Sequence, residues 1–328
     1  MSNVQFQSIL IRVERYNRKD WMLVSKHQWF TELQLKIKNG HLKIDEPLSK
    51  YTMTKLGGSA DLLVIPSTLE ETEATVRYAH NNNIPLLLLG NGSNMVVRDG
   101  GVRGIVLHLP KLNEIKVEGT SIHAQGGALI IDVSKAAAAH GLTGFEFACG
   151  IPGSVGGAMA MNAGAYGGEI KDVIRQVTVL TGSGELLVLS KDQLELGYRK
   201  SIIAKEGYYV LSADFTLVPG NQEAIDAKVA DLTFQRESKQ PLEYPSAGSV
   251  FKRPPGYFAG KLIQDCGLQG KGCGGAEVST KHAGFIINKN HATASDYIGT
   301  IEMVKAEVKK TFDVDLELEV KIVGEKKD

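Results

Sequence analysis

Four places in the sequence carry residue types and spacings that could do chemistry. The first is GNGSN, residues 90–94. It follows an apolar run, which raises the question of a dinucleotide phosphate loop. That fingerprint fails twice: the third Gly position is Met95, and the next segment is strand-like where a helix is required. Consecutive N–H groups in a Gly-rich turn can still form an anion nest, with Ser93 and Asn94 as added donors. A plain turn would read the same way. The second place is FQRESKQPLEYPSAGSVFKRPPG, residues 234–256. Arg236 and Lys239 lie three apart on one helix face and suit a phosphate or carboxylate clamp. A solvated helix C-terminus favours cations as well. Ser249, in SAGSVF, has an apolar, Pro-bounded setting unusual for a surface serine. Without a nearby His or a GxSxG elbow it is a poor nucleophile candidate; it could instead be a proton donor within a relay. The third place is YRKS, residues 198–201, where Arg199 stands between two strands as an anion clamp or a surface arginine. The fourth is LELEV, residues 316–320, whose alternation puts Glu317 and Glu319 on one strand face. Edge-strand carboxylates of that kind normally face solvent. Residues 256–262 do not make a P-loop, since the spacing is wrong and no Ser or Thr follows Lys261.

The elements that must position these residues are organised around 141–168, GLTGFEFACGIPGSVGGAMAMNAGAYGG, in which nine of 28 residues are Gly and five are Ala. Glycine is kept where backbone turns sharply or approaches something closely. Its apolar neighbours argue against a flexible linker. The stretch reads as tightly packed backbone around a bulky ligand, with a close-packed structural turn as the alternative. Before it, strands are expected at 61–65, 85–89, 95–97, 104–108, 115–118 and 121–124. A helix from 67 to about 82 opens on the capping box Ser67-x-x-Glu70, and another, 130–140, stops at Gly141. After it come a hairpin of 176–180 and 185–189 through TGSG, and a strand at 209–217. The texture changes near Pro219-Gly220. Beyond it the pattern predicts a long polar helix over 222–239, a short one over 257–266, a strand at 283–287, a helix over 295–311 and a closing strand at 316–323. At the N-terminal end, 4–13 reads as a strand and 26–38 as a helix with Trp29, Leu33 and Ile37 on one face. Met22 could be an alternative start. The whole is α+β, with no internal repeat.

Lys plus Arg and Asp plus Glu balance at 37 each, which gives no support for nucleic acid or an anionic membrane as partner. The three cysteines, Cys149, Cys266 and Cys273, include no CxxC, so neither a disulfide framework nor a zinc site is expected and a reducing cytoplasm is. No apolar run is long enough for a membrane span, and no secretory leader is expected.

Taken in order, GNGSN, CGIPGSVGGAMAMNAGAYGGE, GYRKSI, RESKQP, AGSVFKRP, AGKLIQDCGLQG, STKHAGFIIN and LELEV resemble the UDP-N-acetylenolpyruvoylglucosamine reductase (MurB) family, flavoproteins of bacterial peptidoglycan precursor synthesis. The resemblance covers about residues 48–324. It implies a two-part FAD-binding unit of the vanillyl-alcohol-oxidase/PCMH type plus a C-terminal α+β substrate-binding domain. The expected division is an N-terminal segment 1–45 without assigned function, FAD subdomains 46–110 and 111–218, a substrate-binding domain 219–315, and a strand and tail 316–328 that bring Glu319 to the site. The implied cofactor is non-covalent FAD, with NADPH as hydride donor. The implied substrate is UDP-N-acetylglucosamine enolpyruvate, reduced to UDP-N-acetylmuramate. A cytoplasmic monomer is expected, with no nucleic acid or membrane partner.

Carried over by motif, Arg199, Ser249 and Glu319 look like the catalytic residues, with Ser249 as proton donor. FAD would lie against Gly90, Asn91, Gly92, Ser93 and Asn94, and against Cys149, Gly150, Pro152, Gly153, Ser154, Gly156, Gly157 and Ala158. Asn162, Ala163, Gly164 and Tyr166 extend that surface. Tyr198, Arg236, Lys239, Arg253 and His282 would face the UDP-sugar. The chain runs straight through VPGNQEAIDAK, residues 218–228, without the tyrosine-bearing loop of some members, so it resembles the shorter, second type. Reducing an enol ether takes a hydride on one carbon and a proton on its neighbour, and a cofactor must bring the hydride. Two other readings remain open. One is a PCMH-type flavin oxidase, although GNGSN has no His or Cys for a covalent tether. The other is a UDP-sugar-binding protein without activity.

Overall fold

The computed structural model describes residues 26–327. The strand expected at 4–13 and Met22 lie outside the described residues. Compactness divides the chain into two units, each discontinuous in sequence. The first takes in the residues up to Asp45, then Asp61–Gly90 and Gly104–Leu232. The second takes in Glu46–Ala60, Asn91–Arg103 and Thr233 onward. This grouping differs from continuous subdomains 46–110 and 219–315. Two short early segments go with the C-terminal part because long-range hydrogen bonds hold them there.

The first unit contains two sheets. One orders His41–Pro47, Ser59–Ile65, Val102–His108 and Leu86–Leu89, with the last two strands parallel. Helix Leu69–Asn81 covers it. Trp29, Leu33 and Ile37 pack with Leu62, Val64, Tyr78 and Ile105 in one core, as their i, i+4, i+8 spacing predicts. The N-terminal helix itself stops at Gln34, because the Lys36 and Ile37 N–H groups both bond the Leu33 carbonyl. Helix Leu69–Asn81 begins one residue later than the capping box at Ser67 implied. Thr68 is the N-cap and accepts from the Glu71 N–H at 3.2 Å. The Glu71 carboxylate reaches backwards instead, accepting N–H groups from Lys38 and Asn39 at 2.8 Å each and from Ser67 at 2.7 Å.

The second sheet is antiparallel throughout, in the order Leu186–Ser190, Ile174–Leu180, Tyr209–Thr216, Ser121–Gln125, Ile115–Glu118. Helix Ile130–Ala139 ends as expected, with Gly141 left-handed at φ +64°. It packs with helix Val155–Ala160 into a core built on Phe145, Phe215, Met159 and Ile122, all buried. Burying one such side chain contributes roughly 1.5–3 kcal/mol.

The second unit carries an antiparallel sheet of Ser246–Ser249, Phe285–Asn288, Ala276–Val278 and Gly272–Cys273. Helices Ala259–Asp265 and Ala294–Phe312 share its core, with Tyr297 fully buried. The long helix begins on Thr293, in a capping box with Asp296. Asp99 adds a second cap from far along the chain. Its carboxylate accepts the Ala294 and Ser295 N–H groups at 2.8 Å each and the Ser295 hydroxyl at 2.6 Å.

The strand expected over 316–323 is regular only at Lys321–Val323, where it pairs in parallel with Met95–Val97. Ahead of it, the Glu319 and Val320 N–H groups both bond the Val250 carbonyl, at 2.8 and 3.3 Å. Two donors on one acceptor break the ladder. Glu317 is exposed and pairs with Lys252 at 3.0 Å, whereas Glu319 is half-buried.

Candidate functional site

Residues 90–94 form a turn between strands Leu86–Leu89 and Met95–Val97. Gly90 belongs to the first unit. A side chain there would bring Cβ within 2.7 Å of the Ser154 hydroxyl. Ser154 is the N-cap of helix Val155–Ala160, and its Oγ accepts the Gly157 N–H at 3.2 Å. The next two donors are taken within the fold: Val155 N–H bonds the Ala128 carbonyl and Gly156 N–H the Gly126 carbonyl, each at 2.8 Å. The unsatisfied backbone donors of this stretch therefore lie one step earlier. The N–H groups of Gly150, Gly153 and Ser154 meet no protein acceptor among the described residues. Ser154 is only 5% exposed, and a buried N–H left so calls for a bound acceptor.

Further along, Cys149 and Pro152 are half-buried and Ala158 and Ala163 buried, while Tyr166 sits exposed at a hairpin tip with φ +52°. Asn162 stands in the chain between Met161 and Ala163. It is fully buried, and its side chain bonds Glu169, Gly197 and Lys171. Arg199 occupies the third position of a turn closed by reciprocal Gly197–Lys200 hydrogen bonds of 3.1 Å, with φ +55°. Its Nη2 donates to the Gly164 carbonyl at 3.4 Å, and its guanidinium lies 5.1 Å from the Tyr198 ring centroid.

In the second unit, Gly92 is buried with φ +61° and sits against the Tyr51 backbone. The Gly92 and Ser93 N–H groups meet no protein acceptor among the described residues. The Asn94 amide donates to the Glu319 carbonyl at 3.1 Å, and the Asn94 carbonyl accepts Lys321 N–H at 3.1 Å. Glu319 in turn bonds Val250, the neighbour of Ser249. Ser249 pairs with Phe285 across the sheet. Its side chain is exposed, and its hydroxyl has no protein partner among the described residues.

The His282 ring packs edge-to-face on Phe285 at 4.8 Å, and its Nδ1 accepts the Gly284 N–H at 3.1 Å. That bond leaves the proton on Nε2 when the ring is neutral, and burial lowers its pKa. Arg253 stacks on Phe258 at 4.4 Å. Arg236 and Lys239 share the last turn of helix Gln222–Lys239, Arg236 half-buried and Lys239 exposed. Within one unit, then, the fold brings Asn94, Glu319, Ser249 and His282 together. Within the other it groups Gly90 with Ser154, and Asn162 with the Arg199 turn. Sequence reasoning passed over Glu169, whose carboxylate bonds the side chains of Asn162 and Lys171, and Asp99, which caps backbone groups far away in sequence. Only the Glu-x-x-Asp spacing of Glu169 and Asp172 hinted at the first.

Among the described residues, no helix is long and apolar enough to cross a membrane. Residues 60–190 match the family model of the FAD binding domain, and residues 240–323 that of UDP-N-acetylenolpyruvoylglucosamine reductase, C-terminal domain. The reductase of that name from Geobacillus kaustophilus is 64% identical over 281 residues, 86% of this chain and 92% of its own. That from Listeria monocytogenes serotype 4b is 57% identical over 295 residues, 90% of this chain and 99% of its own. The crystal structure of the Thermus caldophilus reductase superposes with a TM-score of 0.75 at 33% identity, covering 87% of this chain and 99% of that one. By class, the protein is an FAD-containing oxidoreductase with an α+β fold. The chain belongs to the UDP-N-acetylenolpyruvoylglucosamine reductase family.

Proposed function

We propose that the protein reduces the enolpyruvyl group of UDP-N-acetylglucosamine enolpyruvate to give UDP-N-acetylmuramate, a cytoplasmic step of peptidoglycan precursor synthesis, acting as a monomer with NADPH as reductant. The observation that carries this reading is the Ser249 hydroxyl, exposed and without a protein partner among the described residues, beside Val250, whose carbonyl accepts the Glu319 N–H at 2.8 Å.

The residues present suit a dinucleotide cofactor. Within the first unit, the orphaned N–H groups of Gly150, Gly153 and Ser154 are donors for a diphosphate. The lack of a side chain at Gly90 avoids a clash with the Ser154 hydroxyl. These residues would hold FAD, and the chemistry FAD supplies when bound is hydride transfer, from NADPH to one carbon of the enolpyruvyl double bond. Ser249 would deliver the proton to the neighbouring carbon. A hydroxyl is a weak acid, so a neighbour must donate to its oxygen as its proton leaves, and Glu319 and Arg199 are the residues that would polarise it. The Arg199 guanidinium would stabilise the enolate-like charge that builds up beside the substrate carboxylate. Arg236, Lys239 and Arg253 supply cations, and Tyr198 and His282 an aromatic face and an Nε2 donor, for the UDP-sugar.

The test is the visible spectrum of the purified protein under anaerobic conditions, recorded before and after NADPH and again after the enolpyruvyl substrate. A flavin spectrum that bleaches with NADPH and recovers with that substrate is expected. Recovery with oxygen but not with the substrate would replace this reading by an oxidase. A colourless protein that FAD cannot reconstitute would remove the cofactor assignment.

A further inference from the structure

The turn that carries Arg199 is held by a polar cluster that the proposed chemistry does not use. Asn162 is completely buried and makes three side-chain hydrogen bonds. Its Nδ2 donates to Glu169 Oε2 at 2.9 Å and to the Gly197 carbonyl at 3.1 Å, and its Oδ1 accepts the Lys171 N–H at 2.9 Å. Gly197 opens the Arg199 turn, and Ser201 closes it from the other side, its hydroxyl donating to the Ala160 carbonyl at 2.6 Å. Arg199 itself is held left-handed, a strained conformation for an L side chain that persists only where its surroundings impose it.

The guanidinium end is fixed in the same place. Arg199 Nη2 reaches the Gly164 carbonyl, and Gly164 stands directly opposite Glu169 in the two-stranded hairpin of Gly164–Ala165 and Gly168–Glu169. The Glu169 carboxylate pairs with Lys171 Nζ at 2.8 Å. The Lys171 hydrogen bond chiefly, then the Asn162 hydrogen bond and the Lys171 and Arg199 charges, outweigh burial and lower the Glu169 pKa.

We propose that Glu169, backed by Asn162, is a positioning residue for Arg199: the carboxylate holds the guanidinium at the Gly164 carbonyl, and the amide locks the turn that presents it. This rests on the role given to Arg199 above. A cation fixed before charge develops needs no reorganisation during the step. One on a free turn must be ordered in every turnover.

The holoenzyme tests it with Glu169→Gln, which keeps an acceptor for Asn162 and removes the charge. In holoenzyme labelled at arginine, the Arg199 Nε–Hε resonance, assigned by its loss in Arg199→Ala, is expected to be exchange-protected. It should broaden or vanish in Glu169→Gln. An unchanged resonance overturns the proposal, whatever the kinetics. In single turnovers, Glu169→Gln is expected to slow flavin reoxidation by substrate about 10-fold, leaving reduction by NADPH within about twofold. In the Arg199→Ala background it should add nothing. An equal loss in both backgrounds would make Glu169 structural and overturn the proposal. If Arg199→Ala alone leaves reoxidation at the native rate, the role of Arg199 fails, while the resonance still decides whether Glu169 positions it. Should Glu169→Gln not fold, Asn162→Ser read by the same resonance takes its place.

Discussion

Asn94 and Glu319, 225 residues apart, are joined by a hydrogen bond from the Asn94 amide to the Glu319 carbonyl at 3.1 Å. A residue of the Gly-rich turn thus fixes the backbone of a candidate catalytic carboxylate. Asn94→Ala should cost about 1 kcal/mol, the usual net worth of one such bond. Chemical denaturation of the holoenzyme measures it. An unchanged midpoint would mean that Glu319 is held adequately by Val250.

Ser249→Ala is expected to cut flavin reoxidation by the enolpyruvyl substrate by about 100-fold or more, the range of a lost general acid. Reduction by NADPH should stay within about twofold. Stopped-flow absorbance separates the two half-reactions. Reoxidation at the native rate would remove the proton-donor role.

Gly92 and Gly119 share a left-handed backbone, at φ +61° and +58°, but differ in surroundings. A Cβ at Gly92 would lie 2.2 Å from the Tyr51 carbonyl oxygen, whereas one at Gly119 meets nothing within 4 Å. Gly119→Ala should therefore cost only the backbone strain, about 1–2 kcal/mol. Gly92→Ala should add a further ~1–3 kcal/mol for overpacking and weaken retention of FAD. Melting temperatures and flavin content after dialysis make the comparison. Equal losses would show that the close approach to Tyr51 is immaterial.

Asp99 links stability of the second unit to pH. Burial alone would raise its pKa, but the Ser295 hydroxyl and the Ala294 and Ser295 N–H groups outweigh burial and lower it. The unfolded chain then binds the proton more readily than the folded one. The contribution is therefore complete above the unfolded value of about 3.9 and is lost as pH falls through the lower folded value. Asp99→Asn should destabilise by about 1–2 kcal/mol at neutral pH. The gap to the native protein should stay level from neutrality to mildly acidic pH and close below about 3.9. A gap unaltered by acid would contradict the linkage.

Much of the local structure was legible from pattern. Helix Gln222–Lys239 falls on its expected bounds, the hairpin of Ile174–Leu180 with Leu186–Ser190 turns at TGSG, and Gly141 ends its helix. The misplaced cap is instructive. Ser67 and Thr68 both have Glu three residues on, so spacing cannot choose between them. The choice is made by Lys38 and Asn39, whose N–H groups draw in Glu71. The alternation of LELEV promised a regular strand, but the shared Val250 carbonyl interrupts it. Ser249, Glu319 and Arg199 stood out by residue type and by family motif. Glu169 did not, because an acidic residue after two glycines reads as a surface turn until its burial partners are known.

The parallel pairing of Lys321–Val323 with Met95–Val97 sets an order of events in biosynthesis. Met95–Val97 leaves the ribosome long before its partner strand exists. Contacts so remote in sequence are slow to form. The nascent chain can assemble the antiparallel sheet of the first unit early, but Asn94, at the end of the Gly-rich turn, lacks its Glu319 and Lys321 partners until residue 321 has been translated. On the proposed assignment of this turn to FAD, a product terminated before residue 321 would be flavin-poor despite an intact first unit.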